Sequence, residues 1–368
     1  MLHRTLSLNR VAIIGFIMTL LLAAFLPARA QGRIELTQTA EYNIGVDCPV
    51  ATALEPGGTT YWILMNNCGQ RGYTLHAYNV ADGSEVTTDT YATALMNLED
   101  VFVDPFINPL GFTPSGDLSI RYNDSDTYES RNIIISLSTG EAEVHTSATY
   151  DALMSSISEY PEFSPYSPDH TRVVAVGTAS LHVIDVQNEV ELAEIPVEGD
   201  IFASFASFSE DNSQLHVVRL INQNDPNDHS AALLIYSLPD GALLKQYQVE
   251  SSVVWVSPDG KRAAIQRYSN NIGDLSELLV MDLESGLTSA AANLLEKPSL
   301  VTVCTNTGKT TNSGFTFDGF FSVPGVNWLP DSSSLLVPMS YNGDAAEGGG
   351  VCSFSYSRIR QYSVNSGS

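Results

Sequence analysis

The sequence predicts an all-β fold in which six similar four-stranded sheets close into a ring, a β-propeller, and three observations carry that expectation. A strand–turn–strand unit recurs six times along the 368 residues. A second landmark, a β-rich run ending in a small polar and an aliphatic residue, follows it each time in the same order. A spare alternating strand precedes the first unit. Long helical periods and βαβ alternation are absent from the sequence.

The chain opens with basic His3, Arg4 and Arg10, an apolar run from Val11 to Leu26, and the small-residue ending Ala28-Arg29-Ala30. This is the layout of a secretory signal peptide, and its apolar run is shorter than the roughly 20 residues of a membrane span. Residues 1–30 are therefore expected to be a leader and 31–368 one propeller domain, with an uncleaved anchor as the alternative. The expected location is extracytoplasmic, secreted or periplasmic.

Arg33 to Thr39 alternates with the strand period. It is expected to complete the last blade and so close the ring, because an open fan of sheets would leave unpaired edges.

The clearest repeat runs from Val254 through Ser257-Pro258-Asp259-Gly260 to Ile265. Pro presets the first turn angle, Asp bonds its own following backbone, and Gly accepts the closing conformation. Related turns stand at Glu55-Pro56-Gly57-Gly58, Thr113-Pro114-Ser115-Gly116, Ser167-Pro168-Asp169-His170, Ser209-Glu210-Asp211-Asn212 and Leu329-Pro330-Asp331-Ser332. The second landmark ends in Asn79-Val80, Ser136-Leu137, Asp185-Val186, Ser237-Leu238, Asp282-Leu283 and Ser363-Val364, and its polar residue is expected to bond turn backbone. The link from Leu287 to Val326 is the longest. It reads as an outer strand plus an insertion, giving six blades, or as a degenerate seventh blade.

The run Trp255 to Arg262, followed by Leu278-Leu279-Val280-Met281-Asp282, resembles the TolB-like propeller repeat, a relative of the WD-type repeats. Tyr166 to Arg172 with Leu181 to Asp185 resembles it as well. The resemblance implies the propeller fold and a role in extracytoplasmic protein contact. It implies no named partner. The α/β domain that precedes the propeller in TolB, and the hydrolase domain that accompanies similar repeats in prolyl-oligopeptidase-like enzymes, have no counterpart expected in this chain.

The leader holds three of the 17 basic residues and none of the 42 acids, so its removal takes the formal net charge from −25 to −28. Such a field repels phosphate backbones and anionic headgroups, so nucleic-acid partners and membrane insertion after cleavage are not expected. Cationic partners remain, alongside the plainer reading that the acid keeps an exported monomer soluble.

Four cysteines, Cys48, Cys68, Cys304 and Cys352, meet an oxidising compartment. Three connectivities are open. Cys48 with Cys68 and Cys304 with Cys352 is preferred, because the first two flank the Pro56 turn and a hairpin there brings them face to face.

If strands run outward from the channel, the uniform turns share one rim and the variable loops share the other, where binding residues concentrate. That second rim is expected to carry Tyr122–Asp126, Asn222–His229, Ser269–Asp274 and Tyr341–Asp344. Asp124, Asp126, Asp225, Asp228 and Asp274 are the candidate ligand-binding residues. The spacing of Asp124 and Asp126 suits Ca²⁺, although neither loop completes a calcium-loop pattern and turn formation accounts for these residue types. No other cofactor or metal is expected. The links Thr90–Met96 and Thr149–Met154 resemble each other and are expected to be short helices packed on the blades.

No Gly-x-Ser-x-Gly elbow, His-Glu-x-x-His or phosphate loop occurs, so no catalytic residue is assigned. His76 and His182 share one repeat position with Ile133, Leu234, Leu279 and Arg360, which reads as a packing site. The leading functional expectation is a non-catalytic scaffold binding a protein, peptide or glycan on its acidic, loop-rich face. The alternatives are a metal-dependent funnel-type enzyme of lactonase-like kind and a surface-assembly component.

Overall fold

The computed structural model describes residues 34–45, 48–66, 73–86, 110–123 except 114, 130–145, 148–157, 162–163, 166–197 except 178, 206–221, 230–267 except 250 and 252, 277–294, 316–322, 325–347 and 350–366. The proposed leader lies outside them. After β1 (Ile34–Gly45), blade one comprises β2 (Cys48–Leu54), β3 (Thr60–Asn66), β4 (Tyr73–Asn79) and β5 (Glu85–Val86). Blade two is β6 (Leu110–Phe112), β7 (Leu118–Asn123), β8 (Ser130–Ile135) and β9 (Ala142–His145), followed by helix α1 (Ala148–Ile157). Blade three is β10 (Glu162–Phe163), β11 (Arg172–Val176), β12 (Ser180–Asp185) and β13 (Val190–Pro196). Blade four is β14 (Ser207–Phe208), β15 (Gln214–Leu220), β16 (Ala231–Ser237) and β17 (Leu243–Val249). Blade five is β18 (Val254–Val256), β19 (Arg262–Arg267), β20 (Glu277–Asp282) and β21 (Thr288–Asn293). Blade six holds β22 (Thr316–Ser322), β23 (Asn327–Trp328), β24 (Ser334–Glu347) and β25 (Gly350–Ser366).

Each of the first five sheets pairs its strands in sequence order, all antiparallel. The sixth runs β1-β25-β24-β22, with β23 also on β24, so the first strand of the chain is the outer strand of the last blade. Ile34 pairs with Ser366 and Gly45 with Ser357, so the closing strand is longer than Arg33 to Thr39 alone. The ring therefore has six blades. The aromatic segment after the long link is no seventh sheet: β22 adds to β24, opposite Ser340 to Ala346.

Both faces of a blade are apolar, because alternate residues of one strand must meet two neighbours. In β3, Trp62 and Leu64 pack with Phe112 and Ile120 of blade two, whereas Tyr61, Ile63 and Met65 pack with Leu336 and Ile359 of blade six. The same division recurs between blades three and four, four and five, and five and six. Each fully buried aliphatic side chain contributes about 1.5–3 kcal/mol relative to exposure, so the seams between sheets hold the ring together. At blade three, helix α1 supplies part of the cover, setting Met154 on Val173, Ala175 and Ile184. The expected helix at Thr149–Met154 is thus present within a longer one; that at Thr90–Met96 lies outside the described residues.

Two expectations are corrected. Tyr341 to Asp344 is not a rim loop, since these residues lie inside β24 and pair with Tyr356 to Ser353 of β25. Continuous antiparallel pairing of β24 with β25, as far as Glu347 with Gly350, carries the hairpin past the blade. Second, Cys48 does not face Cys68: the turn register would set Asn67 opposite it, and a shift between Pro49 and Ala51 sets Asn66 there. A bulge adds one residue to one side of the ladder, which the symmetric spacing about the turn did not reveal. Cys48 is buried and disulfide-bonded. Cys68, two residues beyond Asn66, and Cys304 fall outside the described residues.

Candidate functional site

Strands one and two of every blade meet in a turn at one rim, and in the first five blades strands three and four turn at the same rim. In all six first turns the closing residue donates its N–H to the carbonyl three residues back, as Gly260 does to Ser257 and His170 to Ser167, both at 2.8 Å. That residue has positive φ every time: Gly58, Gly116, His170, Asn212, Gly260 and Ser332. The acids of these turns are occupied. Asp169 accepts from the Ser167 hydroxyl at 2.6 Å and the Thr171 hydroxyl at 2.8 Å, and Asp211 accepts from Ser209 and Ser213 at 2.8 and 2.7 Å.

The hydrogen bonds of Ser213 and Ser209 lower the Asp211 carboxyl to about 2. At Asp169 partial burial pushes upward, but the hydroxyls of Ser167 and Thr171 outweigh it and hold the group below the usual range. Asp331 and Asp82 are lowered by their bonds to Ser333 and Ser84. The second turns behave alike: Asn79 and Asp185 accept backbone N–H groups two residues on, and Asp282 accepts from Glu284 and Ser285, as expected for the repeated polar residue. Arg172 and Arg262 begin the second strands of blades three and five, and each donates to the positive-φ residue of the next blade, Asn212 O at 3.3 Å and Ser332 O at 3.2 Å. The chemistry of this rim is spent on holding turns and neighbouring blades together.

The opposite rim gathers the connections between second and third strands and the links between blades. Candidate residues Asp124 and Asp126 belong to the connection between β7 and β8, Asp225 and Asp228 to that between β15 and β16, and Asp274 to that between β19 and β20. All five lie outside the described residues, as does the Ca²⁺ reading built on them. Topology nonetheless assigns their three connections to one rim. Among the described residues, the same rim carries the Arg267–Glu277 ion pair across β19 and β20, helix α1, and the three-stranded extension of β22, β24 and β25. The extension is about seven residues, roughly 23 Å, long.

The central first strands present mixed, modest chemistry. Asn327 Oδ1 accepts from the Thr52 hydroxyl at 2.8 Å and the Tyr61 hydroxyl at 2.9 Å, and the Trp328 indole donates to Trp255 O at 2.9 Å. Ser207 lies 3.4 Å from Nδ1 of His216, which is 1 % exposed. Burial lowers the His216 imidazole to about 4, and its Nε2 has no hydrogen-bond partner. Among the described residues no three His, Cys, Asp or Glu side chains come together as metal ligands would.

One constellation was not anticipated from the sequence. The third-strand position shared by His76, His182 and Arg360 is buried at His182 and Arg360 and half-buried at His76, and in each case it pairs with a glutamate on the outer strand. His182 Nδ1 lies 2.9 Å from Glu191 Oε1, and its Nε2 lies 2.8 Å from the Ser180 hydroxyl. His76 repeats this with Glu85 at 2.9 Å and Thr74 at 3.2 Å. Arg360, 1 % exposed, donates from Nε to Glu41 at 2.6 Å and from Nη1 to Leu294 O at 3.2 Å. The signal available in the sequence was the interval of nine residues from each histidine to its glutamate.

No family model matches the chain, and no curated protein matches it. Among solved structures, hydrazine synthase from Kuenenia stuttgartiensis is similar over 81% of this chain and 77% of its own, at 12% identity and a TM-score of 0.44. A structure assigned as TolB from Agrobacterium tumefaciens is similar over 72% of this chain and 88% of its own, at 16% identity and a TM-score of 0.42. At these scores neither adds to what the strand pairings establish, a ring of six antiparallel blades.

Proposed function

We propose that the chain is an exported, extracytoplasmic propeller that binds a protein, peptide or glycan on its loop-rich rim, with cationic partners favoured. The observation that carries this reading is the unequal use of the two rims. One rim commits its carboxylates to its own turns, with Asp169 and Asp211 each bonded to two hydroxyls. By strand order the other receives the acidic connections holding Asp124, Asp126, Asp225, Asp228 and Asp274, together with helix α1 and the long hairpin. A rigid ring with variable loops on one side is the arrangement that binding proteins use. Export is proposed from the leader pattern of residues 1–30 and from the disulfide-bonded state of Cys48. No helix among the described residues is long and apolar enough to cross a membrane.

The test is capture of partners from an extracytoplasmic fraction by the mature chain at about 50 mM and about 500 mM salt, where screening lengths differ several-fold. Partners held by the acidic loops are lost at the higher salt and lost in the variant with Asp124, Asp126, Asp225, Asp228 and Asp274 all changed to Asn, and they are kept by the turn-rim variant Asp240→Asn. Capture indifferent to both salt and the five substitutions overturns the proposal.

A further inference from the structure

We propose that Ser180, His182 and Glu191 form a serine-type acyl-transfer centre on blade three, acting on carboxylic esters that reach the loop-rich rim. This goes beyond partner binding and depends on none of the acidic loops.

Ser180 opens β12 at the loop-rim end, beside a tight turn closed by the Gly177 N–H donating to Ser180 O at 2.8 Å. Its side chain is partly exposed, the His182 residue is 9 % exposed, and the Glu191 side chain is a third exposed. Glu191, when ionised, can only accept, so its 2.9 Å contact places the imidazole proton on Nδ1. Nε2 then faces the Ser180 hydroxyl at 2.8 Å with its lone pair, as a base faces a nucleophile. Ser180 and His182 are the catalytic pair in this reading, and Glu191 is the positioning residue.

Gly177 holds the ring in place. A Cβ at that position would stand 2.8 Å from His182 Nε2, so any larger residue would displace the imidazole from the Ser180 hydroxyl.

Blade one serves as an internal comparison. Thr74, His76 and Glu85 share the layout, yet Thr74 is exposed, its hydroxyl lies 3.2 Å from Nε2, and the His76 side chain is 26 % exposed. Water competes for that imidazole, and the hydroxyl is secondary and crowded. Blade six has only a guanidinium at this position, which stays protonated and cannot act as a base. A ring or guanidinium nitrogen against a glutamate is therefore the feature these blades share, and a close primary hydroxyl on a buried imidazole belongs to blade three.

In the reaction, Ser180 Oγ bonds to the ester carbonyl carbon while its proton passes to Nε2. The carbon–alkoxide bond then breaks, and the alcohol leaves with that proton. Water attacks the acyl-serine, again giving a proton to Nε2, and the acid departs as Ser180 recovers its hydrogen.

The experiment treats the full mature chain with a fluorophosphonate probe and maps adducts by mass spectrometry. The probe forms an Oγ–P bond, loses fluoride, and leaves the hydroxyl proton on His182. One adduct is expected, on Ser180, absent in Ser180→Ala, whose melting curve should match the parent because only one oxygen is removed. His182→Ala should slow labelling at least ~10²-fold. Glu191→Gln should slow it about tenfold and Glu191→Asp recover most of the rate, a split that mere packing does not produce. Absence of a Ser180 adduct in the parent, equal labelling of Thr74, or a rate unchanged in His182→Ala overturns the proposal, whatever the partner-capture experiment returns.

Discussion

Gly58 and Gly260 occupy the same turn position with φ of +74° and +67°, yet they meet different surroundings. A Cβ at Gly260 finds only Gln214 Oε1, at 4.0 Å, whereas one at Gly58 would stand 2.7 Å from Cδ of Pro330 in the next blade. Gly260→Ala is therefore expected to cost only the left-handed backbone penalty, about 1–2 kcal/mol, and Gly58→Ala clearly more. Urea denaturation of both variants checks the order, and equal losses would remove the inter-blade contact from the account. The turn residues were legible in the sequence because Pro, Asp and Gly act locally. That His170, Asn212 and Ser332 share the same backbone conformation was harder to see, since none is glycine and each is held by a neighbour: Phe112 beside the His170 ring, Asp169 on Asn212, Asp259 on Ser332. The His182–Glu191 contact left only a nine-residue interval in the sequence, because Glu191 stands opposite Ile184 and meets His182 diagonally across the ladder.

Among the elements, β1 bears the sharpest consequence. Glu41 on this strand receives Arg358 and the buried Arg360, so it compensates a charge that has left water. Glu41→Ala removes the carboxylate that meets Arg360 inside the seam and should cost about 3 kcal/mol, whereas Arg360→Met leaves a partly exposed carboxylate still served by Arg358 and should cost less. Thermal and urea unfolding decide between them, and a larger loss in Arg360→Met would contradict this division. The pairing of β1 with the last blade could be foreseen from its alternation and from the need to cover an edge. The fate of β22 could not, because an aromatic run interrupted by Gly319 suits a blade strand and a hairpin extension equally. Tyr341 to Asp344 misled for the opposite reason: Asn, Gly and Asp normally mark turns, but a long partner strand can hold them extended.

For the whole molecule, acidification should weaken the fold in two stages. His216, lowered to about 4 by burial, binds a proton more readily when unfolded. Its share of stability is present above the unfolded value near 6.5 and is lost as pH falls towards 4, a loss of up to about 3 kcal/mol. His170, also lowered by burial, adds in the same sense. The carboxylates of Asp82, Asp169, Asp185, Asp211, Asp282 and Asp331 have the sign of depressed acids. Their contribution holds above about 4 and disappears below it, down to about 2 for Asp211. Urea midpoints from pH 7 to 3 should fall in both windows, and His216→Leu should flatten the first; an unchanged slope there would remove His216 from its role. The blade count was readable because repetition multiplies a weak local signal sixfold. The partner was not, since a loop's affinity depends on chemistry that leaves no periodic trace.

Because Ile34 lies against Ser366, the first strand to be made has no lasting place until the last has emerged. Contacts across more than three hundred residues come late and slowly. A chain threaded through a translocation pore from its amino end would keep this strand waiting, with the circle unlatched, until the tail comes through.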